Sequence, residues 1–132
     1  MDLIEIGKLT GAKRSIMSDN YTEKRPWGSF TILESGPCFK VKRISVNPGH
    51  KLSLQYHHRR SEHWTVVEGE AIVTVGDEVK TLQVDQSIYI PLKEKHALSN
   101  DGKCLMQIIE VQIGDYLGED DIVRLKDRYG RI

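Results

Sequence analysis

The sequence predicts an all-β fold, a sandwich or barrel of short strands in one domain. Three observations carry this reading. From Trp27 onward, short runs rich in Val, Ile, Thr and aromatics follow one another. Breaks built of Gly, Pro, Asn and Asp separate them, at SGP, NPGH, EGE, VGDE and NDGK. No helical pattern alternates with the strands, as a parallel α/β sheet would require. The length of 132 residues suits a single domain with one ordinary core.

The elements follow in order. The first twenty-odd residues stand apart, with Leu3, Ile4, Ile6 and Leu9 leading into GAKRS and SDN. That segment reads as a strand, a single helical turn or a loose tail. The strands then read SFTILES, CFKVKRISVN, KLSLQYH, EHWTVVEG, EAIVTVG, VKTLQVD, SIYIP and CLMQIIEVQIG. VGDEV is a hairpin turn, because Gly76-Asp77 accepts the positive φ that such turns need. The closing segment GEDDIVRLKDRYGRI predicts a short C-terminal helix packed on one sheet. Ile122, Leu125 and Tyr129 recur at helical spacing, with acids at its start and Lys126 and Arg128 towards its end.

Composition narrows the function classes. Nineteen basic residues balance nineteen acidic ones, which argues against a dedicated nucleic-acid binder. No apolar run reaches the ~20 residues of a membrane span. The start, MDLIEIGKLTG, lacks an apolar signal core. Cys38 and Cys104 make neither a disulfide framework nor a metal clip, so a reducing, cytoplasmic setting is expected.

Four of the five histidines fall within fourteen positions, on GHKLSLQYHHRRSEHW. In an extended strand Ser53, Gln55 and His57 share one face. Glu62 opens the next strand, with Trp64 and Val66 as core residues on its face. A tight connection brings Glu62 beside Gln55 and His57, a mixed N/O donor set suited to a divalent metal. His58 and His63 alternate away from that face, and Trp27 and Trp64 read as core. Further on, IPLKEKHALSN places Pro91, His96 and Asn100 at P-x4-H-x3-N, after G-x5-Q-x-H-x4-E-x6-G from Gly49 to Gly69.

These two patterns resemble the paired motifs of the cupin superfamily, with Gln55 where the first motif usually has histidine. RPWGSF, VKRISVNPG, LSLQYHHRRSEHWTVVEGEA, SIYIP and IIEVQIGDYLGEDDIVRLKDRYGR are more specific. From Arg25 to Arg131 the chain closely resembles the type II mannose-6-phosphate isomerase cupins, usually the C-terminal part of a bifunctional guanylyltransferase/isomerase. The resemblance implies a cupin double-stranded β-helix (jelly-roll) over residues 25–132, with the short C-terminal helix outside it. Residues 1–24 are then an N-terminal extension or cap. They are too few for a nucleotidyltransferase domain, so a stand-alone isomerase that does not itself make GDP-mannose is expected.

The same resemblance implies interconversion of mannose 6-phosphate and fructose 6-phosphate through a cis-enediol. The implied metal ligands are Gln55, His57, Glu62 and His96, holding one divalent ion. Zinc comes first, and cobalt, manganese, nickel, iron and magnesium also suit mixed donors. From Ser35 to Ser61 no acid occurs, while Lys40, Lys42, Arg43, Lys51, Arg59 and Arg60 do. Arg43 and Arg60 are the phosphate candidates, with Lys51 as a further substrate contact; Arg124 and Arg131, in the matching tail, are weaker substrate candidates, the alternative being that they only pair with Asp120, Asp121 and Asp127. Lys40 and Lys42, at alternate positions, read as a solvated strand face. Glu110 is the candidate catalytic base: it faces opposite to Ile109 and Val111, taken as core, and so is either inward at the barrel mouth or exposed. Lys93 stands where motif two normally has glycine. If that turn requires a positive φ, lysine costs roughly 1–2 kcal/mol of strain; the alternative is that it places an ammonium near the barrel mouth. The expected partners are a small phosphosugar and a second copy of the chain, the latter through Leu3, Ile4 and Ile6. Two other functions fit the same motifs. One is a non-catalytic sugar-phosphate-binding cupin that serves a separate guanylyltransferase. The other is a small metal-dependent oxygenase, for which Gln55 is an unusual ligand.

Overall fold

The computed structural model describes residues 20–131, so Leu3, Ile4 and Ile6, with most of the N-terminal extension, lie outside the described residues. Eleven strands form two antiparallel sheets. In chain order they are β1 (Tyr21–Arg25), β2 (Gly28–Ser35), β3 (Phe39–Val46), β4 (Leu54–Tyr56), β5 (Arg60–Glu68) and β6 (Ala71–Val75). β7 (Glu78–Leu82), β8 (Ser87–Ile90), β9 (His96–Ser99), β10 (Met106–Gly114) and β11 (Val123–Lys126) follow. The larger sheet runs β1-β2-β3-β10-β5-β8, and the smaller runs β11-β4-β9-β6-β7. Sheet pairing begins at Tyr21, a little before the expected domain start, because β1 pairs β2 along its whole length.

The period-two pattern decides which face is buried. On β5 Arg60, Glu62, Trp64 and Val66 point inward, while His63 stays out. On β10 the inward set is Met106, Ile108, Glu110 and Gln112. Ile109 and Val111, expected in the core, are therefore only half-buried on the outer face. Trp27, Phe30, Ile44, Val46, Trp64 and Val66 meet Ala71, Val73, Leu82 and Leu98 across the sandwich. This apolar core fills one end. The inward positions of β3, β5 and β10 turn polar towards the other end, and there the sandwich opens.

Turn chemistry follows the sequence. Gly76 takes φ +61° in the β6–β7 hairpin, where Val75 pairs Glu78. Asn100 is buried and closes the motif-two loop. Its amide donates to the carbonyls of Val46 and Cys104, both at 2.9 Å, and accepts from the Gly102 N–H. Lys93 does adopt the left-handed conformation, at φ +66°, and its N–H donates to the His57 carbonyl at 3.0 Å. Its side chain is exposed and does not line the open end, so no ammonium is delivered there.

The C-terminal helix is the one element the structure overturns. Val123–Lys126 forms β11, the edge strand beside β4, with Arg124 opposite Gln55. A helix of that length gains its stability by burying a stripe, yet Leu125 of the stripe stays exposed. Asp121 decides instead. Its carboxylate accepts from the N–H groups of His58 and Arg59 at 2.9 and 3.0 Å, fastening the tail to the chain after β4. Beyond the strand, Asp127 accepts from the Arg131 backbone N–H and guanidinium, closing a turn.

Candidate metal and substrate site

The open end of the sandwich holds a cavity of about 630 Å³, counted out to its mouth. Its wall mixes apolar side chains such as Trp27, Phe30, Ile44 and Leu98 with a few convergent charged groups, the usual lining of a small-molecule site. His57, Glu62 and His96 come together on its wall, all three buried. They arrive from the end of β4, from β5 and from β9, so no local segment alone could assemble them. Among the described residues they form one group whose donor atoms lie within 4.8 Å of one another.

The hydrogen bonds orient these donors. Nδ1 of His57 lies 2.6 Å from the Asp121 carbonyl, and Nδ1 of His96 lies 2.9 Å from the Glu94 carbonyl. A carbonyl only accepts, so each Nδ1 carries a proton; the neutral ring then offers Nε2 as the ligating atom, while a second proton on His57 Nε2 lets it donate to Glu62. His57 Nε2 is 3.2 Å from Glu62 Oε2, and His96 Nε2 is 3.9 Å from Glu62 Oε1. Donors bound tetrahedrally at about 2.1 Å from one ion lie roughly 3.4 Å apart, so this spacing and this tautomer fit a divalent cation. Gln55 sits beside them, paired with His96 across β4 and β9. Its amide nitrogen donates to Ser53 Oγ at 2.9 Å, which leaves the oxygen as the end turned away from Ser53.

Arg60 is placed otherwise than its expected role as a remote phosphate clamp. It is only 6% exposed and belongs to this cluster. Nε donates to Glu62 Oε2 at 2.8 Å, and Nη2 lies 3.2 Å from His57 Nε2. A guanidinium thus bridges two of the candidate ligand atoms. Glu62, 1% exposed, also accepts from Trp64 Nε1 at 2.9 Å. Burial alone would raise its pKa. The His57 hydrogen bond, the Arg60 charge and His96 overcome that and hold the carboxyl well below the usual range. Burial pushes the His96 imidazole down, with Glu62 opposing.

Glu110 is inward and buried, lining the cavity beside Glu62. Trp64 Nε1 donates to its Oε2 at 3.0 Å and Gln112 Nε2 to its Oε1 at 2.7 Å. Burial first, then the neighbouring Glu62 charge, raises its pKa to about 8. Arg43 and Lys51 do not reach the site: both are exposed and outside the cavity wall. Arg43 shares a face with neither Ile44 nor Val46. Lys42 does share that face, so it is Lys42, not Arg43, that is buried, 2.5 Å from Glu119 and over the Phe30 ring. The alternation KVKRISV carried this signal, since Ile44 and Val46 fix the inward parity. Arg124 and Arg131 line the cavity, and Arg25, which sequence reasoning missed, lines it too.

The model of the family described as Mannose-6-phosphate isomerase C-terminal matches residues 12–127. The chain belongs to this family. The Xanthan biosynthesis protein XanB of Xanthomonas campestris pv. campestris (strain B100) is 52% identical over 126 residues, 96% of this chain and 27% of that protein. The Mannose-1-phosphate guanylyltransferase ManC of Salmonella typhimurium is 54% identical over 108 residues, 82% of this chain and 22% of that protein. The chain thus spans about a quarter of the length of these curated relatives. A Klebsiella pneumoniae protein with a double-stranded beta-helix domain superposes with TM-score 0.63 at 18% identity, covering 73% of this chain and 77% of that one. That likeness places the fold among double-stranded β-helices. The expected metal site meets a His/Glu/His cluster compatible with a metal ion.

Proposed function

We propose that the chain is a metal-dependent aldose-ketose isomerase that interconverts mannose 6-phosphate and fructose 6-phosphate. The observation that carries this is the His57/Glu62/His96 donor cluster set in the wall of an arginine-lined cavity. The family membership supports the substrate pair, and the relatives' names support a place in supplying GDP-mannose for polysaccharide biosynthesis. His57, Glu62 and His96, with Gln55 beside them, would hold one divalent ion, zinc being the first candidate. Such an ion supplies Lewis acidity towards the carbonyl and hydroxyl oxygens at C1 and C2.

The chain's own residues do the rest. Glu62 is the only candidate ligand that is anionic, so the bound site keeps a net positive charge. The backbone carbonyls of Asp121 and Glu94 keep both imidazoles in the ligating tautomer. Glu110 lines the cavity next to the cluster and moves the proton between C2 and C1. Trp64 and Gln112 fix both of its oxygens. Arg60 neutralises Glu62 here, and with a divalent ion held by the cluster its guanidinium would be free to meet substrate oxygens. The flanking cations suit an anionic sugar, and Gln55 is an unusual ligand for the oxygenase alternative.

The test is a coupled assay for conversion of mannose 6-phosphate to fructose 6-phosphate, after chelation and after restoring single divalent metals. Metal-restored turnover supports the reading. Tight binding of the sugar phosphate with no turnover under any metal would favour the non-catalytic binding cupin.

A further inference from the structure

We propose that Arg124, bordered by Arg25 and Arg131, forms the subsite that receives the phosphate group of the substrate. This rests on the isomerase reading for the sugar but not for the anion. The three arginines come from β11, β1 and the turn after β11, and all line the same cavity. Arg25 is already held by Glu23, and Arg131 by Asp127 at 2.6 Å. Arg124 has no such partner: among the described residues it makes no ion pair, and its buried Nε has no hydrogen-bond partner at all. The residue as a whole is half-buried, but an N–H donor cut off from water and left unmatched is costly. Burial and then the Arg131 charge push the Arg124 pKa down, with Asp127 opposing.

Position gives the subsite its meaning. Arg124 pairs Gln55, and Gln55 pairs His96, so the three lie in one row across β11, β4 and β9. Opposed residues in antiparallel strands share a face, and neighbouring strands lie about 4.8 Å apart. Arg124 and His96 are therefore roughly two strand spacings apart on the same wall. An opened hexose with a phosphate on its far carbon fits that layout, its C1–C2 end at the cluster and its phosphate at Arg124. A planar guanidinium with five donors suits a phosphate monoester, and the borders supply further donors once their carboxylates are satisfied.

The experiment uses the full chain, chelated and metal-loaded. Affinities for mannose 6-phosphate and for mannose are measured by calorimetry on wild type, Arg124→Gln and Arg124→Lys, with thermal unfolding and metal content in parallel. Arg124→Gln should weaken mannose 6-phosphate binding by about 10- to 100-fold, the size expected for a charge-assisted contact. Binding of unphosphorylated mannose and metal content should not change. Arg124→Lys should recover part of the loss and fold as wild type does. Equal weakening on both sugars, or undiminished phosphosugar affinity in Arg124→Gln, would overturn the assignment. The two readings separate cleanly. Arg124-dependent phosphosugar binding without turnover keeps the subsite and removes the isomerase, whereas turnover indifferent to Arg124 does the opposite.

Discussion

Replacing Arg60 with methionine tests the electrostatic structure of the cluster. The guanidinium holds Glu62 by one charge-assisted bond at 2.8 Å and also reaches His57 Nε2. Methionine keeps the packing and removes the charge, leaving a carboxylate that is 1% exposed without its cation. Breaking a buried pair from one side costs about 3–5 kcal/mol. With a urea dependence of ~1–3 kcal/mol/M, the midpoint of the chelated protein should fall by roughly 2 M. The pH dependence has a definite sign. In wild type the Glu62 pKa is depressed, so its stabilisation is present above the unfolded value near ~4.3 and is lost as pH falls below it. In Arg60→Met burial dominates and raises that pKa, so stability is lost as pH rises. The gap between the two proteins should therefore widen from about pH 4 to pH 7. A divalent ion should stabilise the variant more than wild type, because in wild type it must first displace the guanidinium. Urea unfolding of both proteins at several pH values, with and without metal, reads all of this. A stability difference below about 0.5 kcal/mol, or one that does not vary with pH, would refute the buried-pair reasoning.

Four further outcomes follow. Lys93→Gly relieves the left-handed strain of roughly 1–2 kcal/mol, less Gly's added backbone entropy of about 0.5–1; a melting temperature a few degrees higher, with metal content unaltered, is the expected scan. Asn100→Ala removes three hydrogen bonds in a buried loop, and chemical denaturation should register a loss of about 2–4 kcal/mol. Because the Glu110 pKa is raised to about 8, the stability its neutral form provides is full below the unfolded carboxyl value and is lost as pH rises through about 8. Glu110→Gln should flatten that decline, and stability curves at pH 5 to 9 will show whether it does. Arg43→Ala, on the outer face, should leave phosphosugar affinity as it is when measured by calorimetry.

What the sequence made legible was whatever depends on period and spacing. The strands, the β6–β7 hairpin and the inward parity of His57, Glu62 and Trp64 follow from alternation. The positive φ at Lys93 follows from the motif-two turn. His96 could be joined to His57 and Glu62 only by motif resemblance, because 34 or more positions separate it from them and no local rule crosses that distance. The C-terminal segment misled for a physical reason. Ile122, Leu125 and Tyr129 satisfy helical spacing, but the winning interactions are those of Asp121 with the backbone after β4 and the free edge of β4 itself. Neither is visible until the fold exists. Arg60 shows the same limit at the site. Its charge was readable as a cation for phosphate, while its inward parity, shared with Glu62 and Trp64, turns it into that carboxylate's partner. Lys42 and Arg43 exchanged roles because two lysines at alternate positions were read as solvated although Ile44 and Val46 share their face.

The most direct measurement is turnover of mannose 6-phosphate against metal bound per chain. Chelated wild type is titrated with a divalent ion while fructose 6-phosphate formation and bound metal are followed in the same samples, with His57→Ala/His96→Ala as the comparison. The account predicts that activity rises in proportion to bound metal and saturates at one ion per chain, and that the double variant stays folded yet takes up no stoichiometric metal and shows no turnover. Stoichiometric metal in the double variant, or full turnover by the metal-free wild type, would contradict it.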